Sequence, residues 1–165
     1  MSSMHPRQFA EALYRFLRRL PPGPTYAVEV RDPELLTSDF VAALAHGGAV
    51  PGLAVHPRLP DLATQAERYF GEAARQSAPA DSPLHRGGPL LIRWLLRPDL
   101  SYEAARQRYA PFDALRAPDP ETRHCIVRLI RTALTEDRTV YMIANNKAEG
   151  SSPLTLRALA EALVG

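Results

Sequence analysis

The feature that most constrains this chain is a fourfold alternation of strand-like and helix-like segments, separated by turn and capping residues. Strand patterns occupy 25–31 (TYAVEVR), 49–55 (AVPGLAV), 90–95 (LLIRWL) and 139–144 (TVYMIA), and a helical pattern follows each of them. Neighbouring parallel strands need a crossover of a dozen or more residues, and the alternation supplies one every time. In the first strand Tyr26, Val28 and Val30 face one way, and Ala27, Glu29 and Arg31 the other. The second is short and interrupted by Pro51-Gly52, residues that weaken a strand interior.

The helical segments carry stop and start signals. Residues 7–20 place Phe9, Leu13, Phe16, Leu17 and Leu20 on one face, and Pro21-Pro22-Gly23 ends that helix. Asp32-Pro33 reads as an N-cap followed by a first-turn proline, opening a helix that buries Leu36, Phe40, Ala43 and Leu44 and stops at Gly47-Gly48. Asp61 caps a helix carrying Leu62, Ala66, Tyr69 and Phe70, after which 77–89 is a loop rich in Pro, Ser and Gly. A short helix is expected near 101–109. A long one is expected over 120–136, capped by Asp119, with Ile126, Leu129, Ile130, Ala133 and Leu134 as its apolar stripe. Leu156, Leu159, Ala160, Leu163 and Val164 line the last helix.

An open doubly wound sheet and a barrel both fit this order. An open sheet buries both faces and gives near-continuous apolar strands. Here Glu29, Arg31 and Arg93 put charge on one strand face, which suits a barrel interior opening into a site. The expected fold class is therefore α/β, with parallel strand–helix repeats forming an incomplete, half TIM-barrel-like unit of about four strands. A full barrel takes ~250 residues, and this chain has 165.

That length holds one domain over residues 1–165. A hydrophobic share of 45% with 23% charged residues is that of a folded domain. No apolar run approaches the ~20 residues of a membrane span, and Met1 to Arg7 lacks the apolar core of an export signal. One cysteine, Cys125, allows neither an internal disulfide nor a cysteine cluster. These features predict a cytoplasmic protein without a membrane partner. The net charge of +2 is spread along the chain without a basic block, so nucleic acid is not an indicated partner, a local basic cleft aside. Of twenty basic residues one is a lysine, Lys147, an imbalance of the kind a GC-rich genome imposes.

The polar residues of the strands collect at or just past their C-terminal ends: Glu29 and Arg31, His56 and Arg58, Arg93 and Arg97, then Asn145, Asn146 and Lys147. Parallel α/β folds bind ligands at that edge, where loops converge and helix N-termini point inward. Glu29 and Arg93 lie within apolar runs and would be costly to bury unpaired. Two accounts of Glu29 stand side by side: an ion pair with an arginine holding the barrel mouth together, or a general base. The stretch 145–153 (NNKAEGSSP) ends a strand, turns at Gly150 and begins a helix at Ser152-Pro153, which suits an anion. Its competing account is structural, with Ser152 capping the helix and the asparagines satisfying backbone groups in a tight turn.

Other chemistries find no support. His56 has no partner at ligand spacing, so no metal site is expected, and no Walker loop, nucleophile elbow or dinucleotide fingerprint appears; no cofactor is predicted. Cys125 and Trp94 read as core residues, Trp94 facing the helices with Leu90 and Ile92.

With these residues in view, the chain resembles the YecE-like family, a domain family of unknown function (DUF seventy-two) with a TIM-barrel-like fold. The resemblance is carried by YAVEVRDPELL at 26–36, HPRLPDLATQ at 56–65, LLIRWLLRPDLSYEAARQRYAPFD at 90–113 and VYMIANNKAEGSSPLTLRALAEAL at 140–163, covering about 20–164. Members usually open with a Gly-Thr-Ser-Gly-Trp-like strand and carry an Asn-x-Thr-Phe-Tyr-like segment soon after. Neither occurs here, so the resemblance implies the C-terminal half of a barrel. It lends a fold and a candidate pocket, and no reaction.

Two functional expectations follow. In the first, the mouth binds a small anionic or phosphorylated ligand through Arg31, Arg58, Arg93 and Lys147, with Asn145 and Asn146 orienting it. Glu29, with His56 second, would then be the acid or base of any catalysis, alongside Lys147. In the second, the chain is an interaction or assembly module that forms a homodimer or docks on a separate N-terminal barrel half. The remaining outcome for a half-barrel is a poorly stable product of a broken gene. A basic mouth that takes nucleic acid is a third, lesser reading.

Overall fold

The computed structural model describes residues 5–84 and 87–165. The first four residues of the N-terminal stretch, and 85–86 of the loop expected over 77–89, lie outside the described residues. The elements run α1 (Pro6–Leu17), β1 (Tyr26–Val28), a 3-10 turn (Pro33–Leu35), α2 (Ser38–Gly47), β2 (Ala49–Val55), α3 (Leu62–Phe70) and α4 (Glu72–Ser77). They continue with β3 (Leu90–Trp94), α5 (Tyr102–Tyr109), α6 (Pro120–Thr135), β4 (Val140–Ala144), α7 (Asn146–Glu149) and α8 (Ser152–Val164). The four strands form one sheet in the order β1-β2-β3-β4, each pair parallel. The sheet does not close on itself, which fits a partial barrel-like fold.

Register assigns the two faces. Leu53 lies beside Ile92 and Met142, and Val55 beside Trp94 and Ala144. This face packs into the main core with Phe40, Leu44, Tyr69, Ile126, Ile130 and Leu159, so the helices cover it. On the other face Gly52 lies beside Leu91 and Tyr141, and Ala54 beside Arg93 and Ile143. Tyr141 is 55% and Ile143 47% exposed there. A parallel sheet normally buries both of its faces. Here β4 keeps one of its faces in water.

The caps explain why the helices start where they do. Asp61 accepts from the Thr64 amide and hydroxyl, both at 2.8 Å. Asp119 repeats the device with Thr122, at 3.0 and 2.8 Å. Each satisfies an amide that the helix itself leaves without an acceptor. Gly48 ends α2 in the left-handed region at φ 75°, where a side chain is disfavoured.

Several expectations need correction. The helix anticipated from Asp32 is broken in two: Asp32 caps the 3-10 turn, and Thr37 caps α2. β2 is not interrupted at Pro51-Gly52; all seven of its residues are buried. A β-carbon on Gly52 would stand 3.4 Å from both Glu29 Cβ and Leu91 Cδ2, so this glycine makes room for neighbours folding over it. Phe16 and Leu134, expected on buried stripes, are 59% and 58% exposed. α4 was not anticipated.

Candidate functional site

Every strand delivers its tip to one edge of the sheet. Just beyond β1, Glu29 is held by two arginines: Oε1 accepts from Arg31 Nε and Oε2 from Arg93 Nη1, each at 3.0 Å. The Glu29 side chain is 10% exposed, against 52% for Arg31 and 34% for Arg93. Register explains the meeting. Arg93 lies beside Ala54, and Glu29 packs over Gly52 one pleat earlier, so no side chain stands between them. Charge-assisted hydrogen bonds of this kind are among the stronger ones in proteins. Both carboxylate oxygens are thus committed to cations, the ion-pair arrangement that the sequence set beside catalysis.

His56 follows β2. Its Nδ1 accepts from the Arg58 amide at 3.2 Å, leaving the proton of the neutral ring on Nε2. Burial, then the positive charges of Arg31 and Arg58, lower its pKa from the ordinary 6.5, and Glu29 opposes them. His56 therefore feels the same charges as the Glu29 cluster. It also lines a cavity of about 310 Å³ with Pro60, Asp61, Pro98, Thr122 and Cys125. Cys125 packs against the main core, and burial raises its pKa.

After β4 the segment 145–153 forms α7 and the start of α8. The Asn145 amide donates to the Trp94 carbonyl at 2.8 Å, which fixes Asn145 beside the end of β3. Its side-chain oxygen accepts from the Lys147 amide at 3.0 Å, and that of Asn146 from the Ser152 amide at 2.7 Å. The asparagine oxygens are thus occupied by turn and helix amides. Ser152 is not the cap of α8: Ser151 holds that position without a side-chain bond, and the Ser152 hydroxyl donates to the Ala144 carbonyl at 2.7 Å. Lys147 Nζ lies 4.1 Å from the Tyr102 ring centroid and 5.7 Å from that of Phe112. Among the described residues neither Lys147 nor Arg58 has a carboxylate partner.

Glu149 was missed by sequence reasoning. Its side chain is fully buried, accepting from Arg123 Nη2 at 2.9 Å and from the Asp119 amide at 2.7 Å. Its carbonyl accepts from the amides of Arg116 and Ala117 at 2.8 and 3.1 Å. This residue latches the α5–α6 loop onto α7 and so sets the wall against which Lys147 rests. No signal in the sequence marked it, because Arg123 lies 26 positions away. Tyr102 and Phe112 were missed too, since one reads as helix surface and the other as loop. Gln65, buried within α3, bonds Ala54 through both its oxygen and its nitrogen, at 3.0 and 2.8 Å. It takes the place of a strand beyond Pro51, where pairing with β1 ends.

Among the described residues, no group of three His, Cys, Asp or Glu side chains could hold a metal ion. Among the described residues no helix is long and apolar enough to cross a membrane. Neither the curated proteins nor the solved structures contained a match to the chain. The family described as Protein of unknown function DUF72 matches over residues 1–165, which spans every strand, the Glu29 cluster and the 145–153 segment. The chain therefore belongs to the DUF72 family.

Proposed function

We propose that the C-terminal edge of the sheet binds a small anion, a phosphorylated one by preference. The observation that carries this reading is a surplus of positive charge. Arg31 and Arg93 share the single carboxylate of Glu29, while Arg58 and Lys147 have no carboxylate partner among the described residues. His56 has a pKa lowered first by burial and then by the positive charges of Arg31 and Arg58, so the two arginines add to a shift that burial leads. Asp32 and Asp61 accept from the Glu34 and Thr64 amides and pair with no arginine among the described residues, so their charge offsets part of the surplus without occupying Arg58 or Lys147. Glu29 orients Arg31 and Arg93, and any acid–base chemistry falls to Glu29 or His56. Asn145 and Asn146 set the backbone on which Lys147 is presented.

Titration with inorganic phosphate at constant ionic strength tests this. Binding to the native state raises Tm, and Arg58→Ala with Lys147→Ala should weaken the apparent affinity about tenfold or more, each charge-assisted bond to phosphate contributing roughly 1.5–3 kcal/mol. An unchanged phosphate response in that double variant would sink the proposal.

A second reading rests on the bare sheet face. Tyr141 and Ile143 are about half exposed on a parallel strand whose opposite face is packed. Covering them would suit an assembly role, with a second copy of the chain or a separate barrel half supplying the missing strands. Light scattering coupled to size exclusion tests it: a dimer that becomes a monomer in Tyr141→Asp supports the role, and a monomer at all concentrations removes the homodimer.

A further inference from the structure

The cavity beside His56 differs in character from the charged mouth next to it. It lies at the same edge of the sheet and holds about 310 Å³, bounded by the end of β2, the loop into α3, Pro98 beyond β3 and the first turns of α6. Leu59, Pro60, Leu62 and Pro98 give it apolar walls. No arginine or lysine lines it, and the charged residues that do, Asp61 and Glu121, are acidic. Both helix starts here already have their caps, in Asp61 and Asp119. An anion has nothing to draw it inside.

The polar side chains of the lining are mostly committed. Asp61 accepts from the Thr64 amide and hydroxyl, and the Thr122 hydroxyl donates to Asp119 Oδ2 at 2.8 Å. Cys125 is a neutral thiol, its pKa raised by burial. That leaves the Nε2–H of His56 and the carboxylate of Glu121, an exposed residue. A sugar carries several hydroxyls, each needing a partner once buried, and this lining can meet few of them. An apolar group needs none and gains by leaving water. The volume is that of roughly ten waters in the liquid, room for a six-membered ring.

His56 joins the two spaces: its ring lines the cavity, and it lies within reach of the charges of Arg31 and Arg58. We propose that the ligand of the mouth is the phosphate monoester of an apolar alcohol, its phosphate on Arg58 and Lys147, its apolar body in the cavity, and His56 at the ester junction. The inference rests on the anion reading above and adds the ligand class to it. Apolar walls with a few polar groups that fix orientation are the common build of a small-molecule site.

Phenyl phosphate, glycerol phosphate and inorganic phosphate, titrated into the full chain at constant ionic strength, test it. Phenyl phosphate should bind about tenfold tighter than either of the others, from the apolar area it buries. Arg58→Ala with Lys147→Ala should weaken it about tenfold or more. Cys125→Met narrows the cavity with a flexible apolar side chain, and should weaken phenyl phosphate several-fold while moving inorganic phosphate less than about twofold. Loss of the fold would weaken both alike, and in that case the ranking of the three ligands on the native chain decides. Glycerol phosphate or inorganic phosphate matching phenyl phosphate would overturn the ligand class and leave the anion reading standing. So would a preference for phenyl phosphate that a folded Cys125→Met protein retains in full. No response to any of the three, or responses unmoved by the Arg58 and Lys147 substitutions, would overturn the anion reading and this inference with it.

Discussion

Glu29 and Arg93 stand 64 positions apart in the chain, yet their side chains meet at 3.0 Å across the end of β2. The contact ties the first strand to the third, over a glycine that leaves them room. There one carboxylate faces two arginines, so part of their positive charge is left over.

Replacing Glu29 by Gln keeps the shape and removes the charge that two arginines share. Arg93, about a third exposed, then loses its counter-ion. The expected cost is about 1–2 kcal/mol, a fall in Tm of roughly 2–8 °C for a domain of this size. The double variant Glu29→Gln, Arg93→Gln should cost less than the sum of the single changes, because the two residues interact. Urea unfolding of the four proteins measures the coupling.

His56 supplies a pH signature. Its folded pKa lies below the ordinary 6.5 because of burial and two neighbouring arginines. The unfolded chain therefore takes up the proton first as pH falls, and stability declines from about pH 6.5 down to the folded pKa. Above that window the contribution is complete. Equilibrium unfolding across pH 5–8 should show the slope, and His56→Gln should flatten it. If phosphate occupies the mouth, its negative charge raises the His56 pKa, visible as a shifted imidazole titration by NMR.

Much of the architecture was legible in the sequence because it is written locally. Apolar periodicity with the Asp119-Pro120 cap gave α6 nearly to the residue, the Asp61 cap gave the start of α3, and strand alternation put Trp94 with the helices and Glu29 with Arg93. The failures share a cause in tertiary contact. Pro51-Gly52 looked like a break because the side chains that need the glycine, Glu29 just beyond β1 and Leu91 on β3, are distant in sequence. Phe16 and Leu134 sit on helices whose apolar positions exceed the width their neighbours can cover. At the candidate site, the pairing of Glu29 with an arginine was readable, but Glu149, Gln65 and the rings around Lys147 were not. Each acts through a partner distant in sequence, at a position with no periodic signal.

Gly150 is a backbone requirement within the 145–153 segment. Its φ of 121° lies where side chains are disfavoured, and a β-carbon there would press on the Ala114 carbonyl and stand 2.8 Å from the Arg116 amide. Gly150→Ala thus combines strain with a clash against rigid backbone. The expected loss is about 3 kcal/mol or more. It should be accompanied by faster hydrogen exchange at the amides of Arg116 and Ala117, which donate to the Glu149 carbonyl.

Glu149 offers the sharpest test of how the wall behind Lys147 is held. Its carboxylate is fully buried and satisfied by Arg123 and by the Asp119 amide at the start of α6. Gln in its place would keep one acceptor for that amide but leave Arg123, 20% exposed, without a counter-charge. Breaking a buried pair from one side costs about 3–5 kcal/mol, whereas exchanging both partners for apolar groups can be nearly neutral. Glu149→Gln should therefore destabilise strongly, and Glu149→Leu with Arg123→Met should recover much of the loss. Their effects on Lys147 should differ from their effects on stability. In the doubly apolar variant the Asp119 amide loses its acceptor and α7 its tie to α6, so the ammonium no longer rests over Tyr102. Phosphate affinity should then fall even where Tm is regained. A double variant that regains both would show that α7 is positioned without this pair.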